Sequence, residues 1–500
     1  MFNHEVTQVK RFYYLFIILI PFVVNTGCVS VKGPVKIPET TEQKRIIAID
    51  FLLNDPNIQN ALVGIYVESL KDGRVLYHRN EHRLFVPASN MKLFTTAAAL
   101  VNLGPDYRYQ TGIYTNGNVK KGVLSGDLIV RGSGDPTISG RFYNDDKYAV
   151  FKAWADSLKQ LGIKEINGNL VGDNSFFDGP TLAEGWNWDD EQYWYSAHVT
   201  ALAYNDNCVD VTITPAEQPG NPVNLTVDPK LPFVTLVNQT RTVTDSINTL
   251  DFTRSPGGNV ITFFGDFPKQ KKQDKESVAL QNPSMMFLQV LKDVLSANGI
   301  SVSGRLQLIE QPGFEYQKLH RLFYHFSPPL REIVRVVNKI SHNFYADMLL
   351  KTLGATFKRE GSFVAGAQFV REWLQSIGVS PNEFINVDGS GLSRKNFVAP
   401  NATATLLRWM YHSKYFEDYF DSLPVAGKDG SMGDRMKGTL AEGRIHAKTG
   451  YVKHMRSLSG YAIGTNNQTY LFVMMMNNYS VPVRYINLLQ DRICEQIVQF

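Results

Sequence analysis

Three short patterns hold the residue types that could do chemistry: Ser89-Asn90-Met91-Lys92, Ser341-His342-Asn343 and Lys448-Thr449-Gly450. Ser89 and Lys92 open an apolar run that continues to Leu100, and positions i and i+3 share one face of a helix. Ser89 Oγ and Lys92 Nζ can therefore meet at a helix N-terminus, where the dipole and the free N–H groups favour developing negative charge. A lysine desolvated in such a setting loses preference for its charged form, so Lys92 can take the Ser89 proton and make the hydroxyl a nucleophile. On its own Ser-x-x-Lys is a weak signal, since it arises by chance in long chains and serine is a common helix cap.

The surrounding elements must position these groups. Pro87 and Gly104-Pro105 bracket the Ser89 run, whose alanines and near lack of charge predict a helix packed on all sides. Before it, Ile46 to Leu53 predicts a helix with one apolar side. Ala61 to Val67 and Arg74 to Tyr77 predict strands joined at Asp72-Gly73. From about 106 to 315 the chain alternates short apolar runs with turn residues, which predicts a mostly β insertion of one or two subdomains, interrupted by a helix at Tyr148 to Leu161. A second helix, Met285 to Ala297, is expected to lead back towards the first domain. Helical texture then returns, and Ser341-x-Asn343 falls on a tight connection between two helices. Tyr470 to Met476 predicts a buried strand, and Ile486, Leu489, Ile493 and Ile497 a closing helix.

With 500 residues, 43% hydrophobic and 20% charged, the chain can bury a large core over two or three domains. A net charge of +4 without a dense Lys/Arg block gives no reason to expect a nucleic-acid partner. Three cysteines cannot all pair, and neither they nor the ten histidines fall at a metal-ligand spacing, so no metal or cofactor is expected. Lys10-Arg11 precedes an apolar stretch, Phe12 to Val24, of signal-peptide length. It ends Val24-Asn25-Thr26-Gly27-Cys28, which resembles the lipobox of bacterial lipoproteins, although Asn25 stands where that pattern has an aliphatic residue. The alternative is an ordinary secretory signal cut nearby. Residues 29–43 then read as a tether.

The three patterns, in this order and context, resemble the active-site set of penicillin-binding proteins and serine β-lactamases. Roughly 250 residues separate the first two, which is similar to the penicillin-binding protein 4 type, the class C low-molecular-mass D-alanyl-D-alanine carboxypeptidase/endopeptidase family. Gly132 to Pro136, Tyr204 to Asp210, Asp388 to Ser393 and Ser457 to Tyr461 extend the resemblance over about residues 45 to 500. It implies an α/β (α+β) fold, an antiparallel sheet with helices on both faces. Residues 44–105 and 316–500 would form the catalytic domain and 106–315 the insertion.

The resemblance also implies roles. Ser89 would attack the penultimate D-Ala carbonyl with Lys92 as base, and Ser341 would relay a proton to the leaving amine, helped by Lys448. Asn343 would hold the substrate amide and the Lys92 ammonium, and Lys448 and Thr449 the terminal carboxylate. Gly450 would let backbone approach ligand, and the N–H groups of Ser89 and Tyr451 would form the oxyanion hole. Asp173, in Gly172-Asp173-Asn174-Ser175, resembles the acid that binds a diaminopimelate amine, though a turn or capping aspartate reads equally well there. Trp186, Trp188, Tyr193 and Trp194 could line the same area or pack between domains, and His342 and His446 read as structural. Tyr451 is bulkier than the usual Ser or Thr, and His454 replaces a usual Gly. The implied partners are peptidoglycan stem peptides, β-lactams as covalent inhibitors, and a membrane only through a lipid anchor at Cys28. A β-lactamase or esterase, or a non-catalytic peptidoglycan-binding protein, are the rival readings.

Overall fold

A computed structural model describes residues 40–500 apart from Pro312 and Phe314. The signal segment and Cys28 lie outside the described residues. Residues 41–500 form one unit. No helix among the described residues is long and apolar enough to cross a membrane.

The central sheet is antiparallel throughout and is built from the two ends of the chain. Its strands are β1 (Leu62–Ser69), β2 (Val75–Arg79), β3 (Ile445–Val452), β4 (Met455–Ile463) and β5 (Thr469–Asn477), in the order β2-β1-β5-β4-β3. The helices are α1 (Thr41–Leu53), α2 (Met91–Leu103), α3 (Ala149–Gln160), α4 (Pro283–Ala297), α5 (Leu330–Lys339), α6 (Asn343–Phe357), α7 (Phe363–Ser376), α8 (Pro400–Tyr411), α9 (Phe416–Ser422) and α10 (Val483–Ile497). Strand periodicity explains why both sheet faces are apolar. Along β5, Phe472, Met474 and Met476 pack with Ile49, Ile486 and Ile493 of α1 and α10. Leu471, Val473 and Met475 face the other way, into a core with residues of α2, α5, α6 and α8. β1 and β2 join through Gly73 at φ +71°, the left-handed turn expected of Asp-Gly. β3, which carries Lys448-Thr449-Gly450, is an edge strand.

α2 is buried along its first ten residues and stops at Gly104, φ +89°. Ser89 itself precedes it, on a 3-10 turn (Ala88–Asn90), so the predicted single helix is a turn and a helix in series. α5 turns its apolar Ile333, Val334 and Val337 inward, and the Ser341-His342 connection leads into α6.

Between α2 and α5 the chain builds four further sheets around its own core. The expected helix over 148–161 is α3. The expectation that α4 leads back to the first domain is corrected. Phe287 of α4 packs edge-on against Phe151 of α3, rings 4.9 Å apart, and the buried face of α4 belongs to the core of this region. Three more strands follow it, and the last, His320–Phe326, pairs with Gln110–Thr115. The chain therefore leaves these sheets at Phe326 rather than 315. Replacing the fully buried Phe287 by Ala is expected to destabilise by about 3–5 kcal/mol, read as a lowered urea midpoint. Trp188→Ala, at an 81% exposed position, should stay within about 0.5 kcal/mol.

Candidate active site

The Ser89 turn is clamped from two sides. Asn90 donates to the Lys448 carbonyl at 2.7 Å and accepts from Ser459 Oγ at 2.7 Å, while Ser457 Oγ donates to the Pro87 carbonyl at 2.6 Å. Ser457 and Ser459 alternate on β4, so both reach across the sheet face to this turn. On the other side, a Cβ on Gly391 would lie 1.9 Å from the Ala88 carbonyl oxygen. That glycine lets the 388–391 loop lie directly against the turn, where Ala88 adopts φ +48°.

Lys92 sits at the centre with no exposed surface. Its Nζ donates to Ser89 Oγ (3.0 Å), Asn343 Oδ1 (2.6 Å) and the Ser390 carbonyl (2.6 Å). Burial pushes its pKa down to about 8 against the opposing pull of Asp347 and Asp388. The two carbonyl oxygens can only accept, so a neutral Lys92 gives them its two hydrogens and turns its lone pair to Ser89. The arrangement suits proton removal from Ser89 Oγ at the N-terminus of α2.

Asn343, the first residue of α6, also donates to the Tyr195 carbonyl at 2.8 Å, which ties the 106–315 region to the cluster. Ser341 adopts φ +61° on the connection. His342 caps α6, accepting at Nδ1 from the Tyr345 N–H, and its Nε2 stands 3.1 Å from the buried Asp206 carboxylate. Lys448 is fully buried and donates to the Thr449 carbonyl at 3.0 Å. Burial, with Lys92 and Arg456 nearby, holds its pKa well below the ordinary value. The Thr449 hydroxyl lies 2.8 Å from that of Ser431, a cleft hydroxyl no motif had marked. Tyr451 is 53% exposed at the cleft rim. His454 takes φ +66° in the β3–β4 turn, the conformation glycine favours, with its Nδ1 3.0 Å from the Tyr479 carbonyl.

Seven of the named residues, Ser89, Lys92, Asn343, Lys448, Thr449, Gly450 and Ser341, thus lie on three stretches: the Ser89 turn with α2, the connection with the head of α6, and β3. Asp173 does not join them. Its carboxylate accepts from the Ser175 N–H and the Tyr316 hydroxyl, and it lines a cavity of about 370 Å³ with Ala355 and Arg359. Ala355 stands twelve residues along α6 from Asn343, about 18 Å at the helical rise. The short Gly-Asp-Asn-Ser pattern carries no information about which end of α6 it will reach. An acid of the same region that does connect to the cluster is Asp190, which accepts from the Tyr195 hydroxyl at 2.8 Å. Among the aromatics, Trp186 Nε1 donates to Asp388 at 3.0 Å and Trp194 meets the His342 ring edge-on at 5.6 Å.

Residues 46–488 match the D-Ala-D-Ala carboxypeptidase 3 (S13) family. The chain belongs to that family. It is 32% identical over 464 residues to a D-alanyl-D-alanine carboxypeptidase of Actinomadura sp., covering 90% of this chain and 84% of that one. It is 28% identical over 432 residues to the D-alanyl-D-alanine carboxypeptidase DacB of Haemophilus influenzae, covering 84% and 86%. The crystal structure of penicillin binding protein 4 (dacB) from Haemophilus influenzae superposes at a TM-score of 0.80, with 25% identity over 90% of this chain and 99% of that one. The S13 chain is accordingly a serine peptidase with the α/β penicillin-binding fold.

Two outcomes are expected of this S13 site. Acylation by a chromogenic thioester should rise about tenfold per pH unit as Lys92 loses its proton, levelling above about 8 because its pKa is lowered to that value. A Cβ at Gly450 would stand 2.1 Å from Ser457 Oγ, 2.8 Å from the Pro87 carbonyl and 3.1 Å from the Ser89 N. Gly450→Ala should therefore cost about a hundredfold in acylation and also lower the melting temperature, since overpacking of this kind costs about 1–3 kcal/mol.

Proposed function

We propose that the protein is a serine DD-peptidase of the cell envelope that cleaves the D-Ala-D-Ala bond of peptidoglycan stem peptides, or the D-Ala to diamino acid cross-link, through an acyl-enzyme on Ser89. The observation that carries this reading is the Lys92 amine, buried and held by Asn343 and Ser390 with its remaining valence at Ser89 Oγ. Lys92 takes the Ser89 proton as Oγ attacks the penultimate carbonyl. The N–H groups of Ser89 and Tyr451 receive the oxyanion, Tyr451 lying on an edge strand whose outer N–H groups have no neighbouring strand. Ser341, whose hydroxyl has no hydrogen-bond partner among the described residues, passes a proton to the leaving amine, and water then releases the acyl group. Lys448 and Thr449 bind the carboxylate of the leaving residue, whose negative charge favours the Lys448 ammonium beside a hydroxyl donor.

Residues 44–105 and 327–500 act as the catalytic part, and the region between them walls the cleft through Tyr195 and Trp186. The amine of a diamino acid is received by Asp190 rather than Asp173, because Asp190 is bonded to the tyrosine whose carbonyl Asn343 holds. Phe12 to Val24 exports the chain, and Cys28 carries a lipid anchor. A β-lactam mimics the D-Ala-D-Ala amide and acylates the same serine.

Intact-mass spectrometry after exposure to penicillin tests this. One adduct per chain, absent from Ser89→Ala and slow to decay, is the expected result. Rapid loss with release of hydrolysed drug would instead make the protein a β-lactamase. Absence of both adduct and D-Ala-D-Ala cleavage in folded protein would leave a peptidoglycan-binding role. Asp190→Asn should raise KM about tenfold or more for a peptide bearing the free amine, and leave its acetylated counterpart unchanged.

A further inference from the structure

Two carboxylates beside the cluster have no part in the chemistry above. Asp347, four residues into α6, has no exposed surface, and its Oδ1 accepts from the Gly389 N–H at 2.7 Å and the Ser390 N–H at 3.1 Å. Its other oxygen is buried without a partner. Asp388 is equally buried; Oδ1 accepts from the Gly391 N–H at 2.8 Å and Oδ2 from Ser393 N–H at 2.7 Å and Trp186 Nε1 at 3.0 Å. The Ser390-Gly391 peptide is thus held at both ends: its N–H donates to Asp388 and its carbonyl accepts from Lys92 Nζ. Hydrogen bonds in series through one peptide polarise each other. Asp388 therefore strengthens the acceptor that orients the amine. Thr95 Oγ1 completes the loop's fixation by donating to the Gly389 carbonyl at 2.8 Å.

We propose that Asp347 and Asp388 are positioning residues for Lys92: together they lock Gly389-Ser390-Gly391 so that the Ser390 carbonyl aims the amine at Ser89, and the Asp388 charge strengthens the hold of Lys92 on its proton. The loop makes this coupling short: the Ser390-Gly391 peptide alone separates Asp388 from Nζ, and Asp347 holds the N–H of the adjoining Gly389-Ser390 peptide. Trp186 extends it into the 106–315 region, so seating of that region and orientation of the amine share one carboxylate. The charged groups facing Lys92 are Asp347 from α6, Asp388 from the loop and Lys448 from β3. Asp347 in turn faces Lys92, Asp388 and Lys351, one turn along α6, whose ammonium lies between the rings of Phe177 and Phe363 at 5.2 and 5.1 Å. Burial raises the proton affinity of Asp347, in keeping with a carboxylate that gives one oxygen to two backbone donors and leaves the other bare. Asp388 favours protonated Lys92, and losing it must move the titration to lower pH; Asp347, its own pKa raised to about 8, adds charge only above that value.

The test is the pH profile of acylation by a chromogenic cephalosporin, measured on the full chain. Asp347→Asn and Asp388→Asn are expected to lower the plateau about tenfold or more, and Asp388→Asn to move the acid limb down by about one pH unit. A purely structural role would lower the plateau and leave the limb in place, and that result overturns the proposal. Should the asparagine variants melt below assay temperature, the profiles are taken below their midpoints beside those of Asp347→Glu and Asp388→Glu: a limb lower in Asp388→Asn than in the charge-retaining Asp388→Glu is expected, and equal limbs overturn the idea. The inference rests on Ser89 and Lys92 reacting as proposed above, which Ser89→Ala tests independently. A parent that acylates normally beside variants with unmoved limbs sinks only this inference.

Discussion

A lysine amine with no exposed surface is the constraint around which this molecule is arranged. Taking an ammonium out of water is expensive unless hydrogen bonds replace the solvent. Lys92 finds its three acceptors on three separate elements: Ser89 on its own turn, Asn343 at the head of α6 and Ser390 on the loop before α8. Each must be held to within a few tenths of an ångström, so the site demands that distant parts of the chain pack in one way. The cost of burial is also what makes the amine useful, since it lowers the affinity of Lys92 for its proton towards neutral pH.

That demand explains features with no obvious chemistry of their own. Ser457, Ser459 and Asn90 exist at the interface of β3, β4 and the Ser89 turn, where they exchange three short hydrogen bonds and leave no slack. Gly391 and Gly450 remove the Cβ atoms that would push the loop and the edge strand off that turn. Positive φ at Ala88 and Ser341 is backbone strain kept where function needs an unusual direction of the chain. The central sheet and its two apolar faces supply the rigidity against which this strain is held.

The region between α2 and α5 has its own core, yet it is not a passive appendage. The Tyr195 carbonyl accepts from Asn343, Trp186 donates to Asp388, and Asp206 stands against His342 at the α6 cap. Three of its segments therefore reach the residues that hold Lys92. A change of seating there would be felt at the base before it was felt by any substrate.

Local chemistry in the chain was enough to reveal a great deal. Ser89 and Lys92 at i and i+3, the Asp72-Gly73 turn, the unbroken apolar run of β5 and the three-and-four spacing of α10 are short-range patterns, and each is set by neighbours in sequence. The three motif triads and their order were equally visible, and with them the family. What only the tertiary structure decided was distance between remote residues. Asp173 was placed by a four-residue resemblance, and folding carried it to the far end of α6, whereas Asp190 reached Tyr195 and hence Asn343. The Ser390 carbonyl, a backbone atom any residue would supply, became a ligand of Lys92 through the placing of the loop. α4 joined the core of the inserted region because Phe287 met Phe151 across many intervening residues. Residue type and short spacing determine what a group can do; which groups meet depends on burial and register summed over the whole fold, and no local pattern encodes that sum.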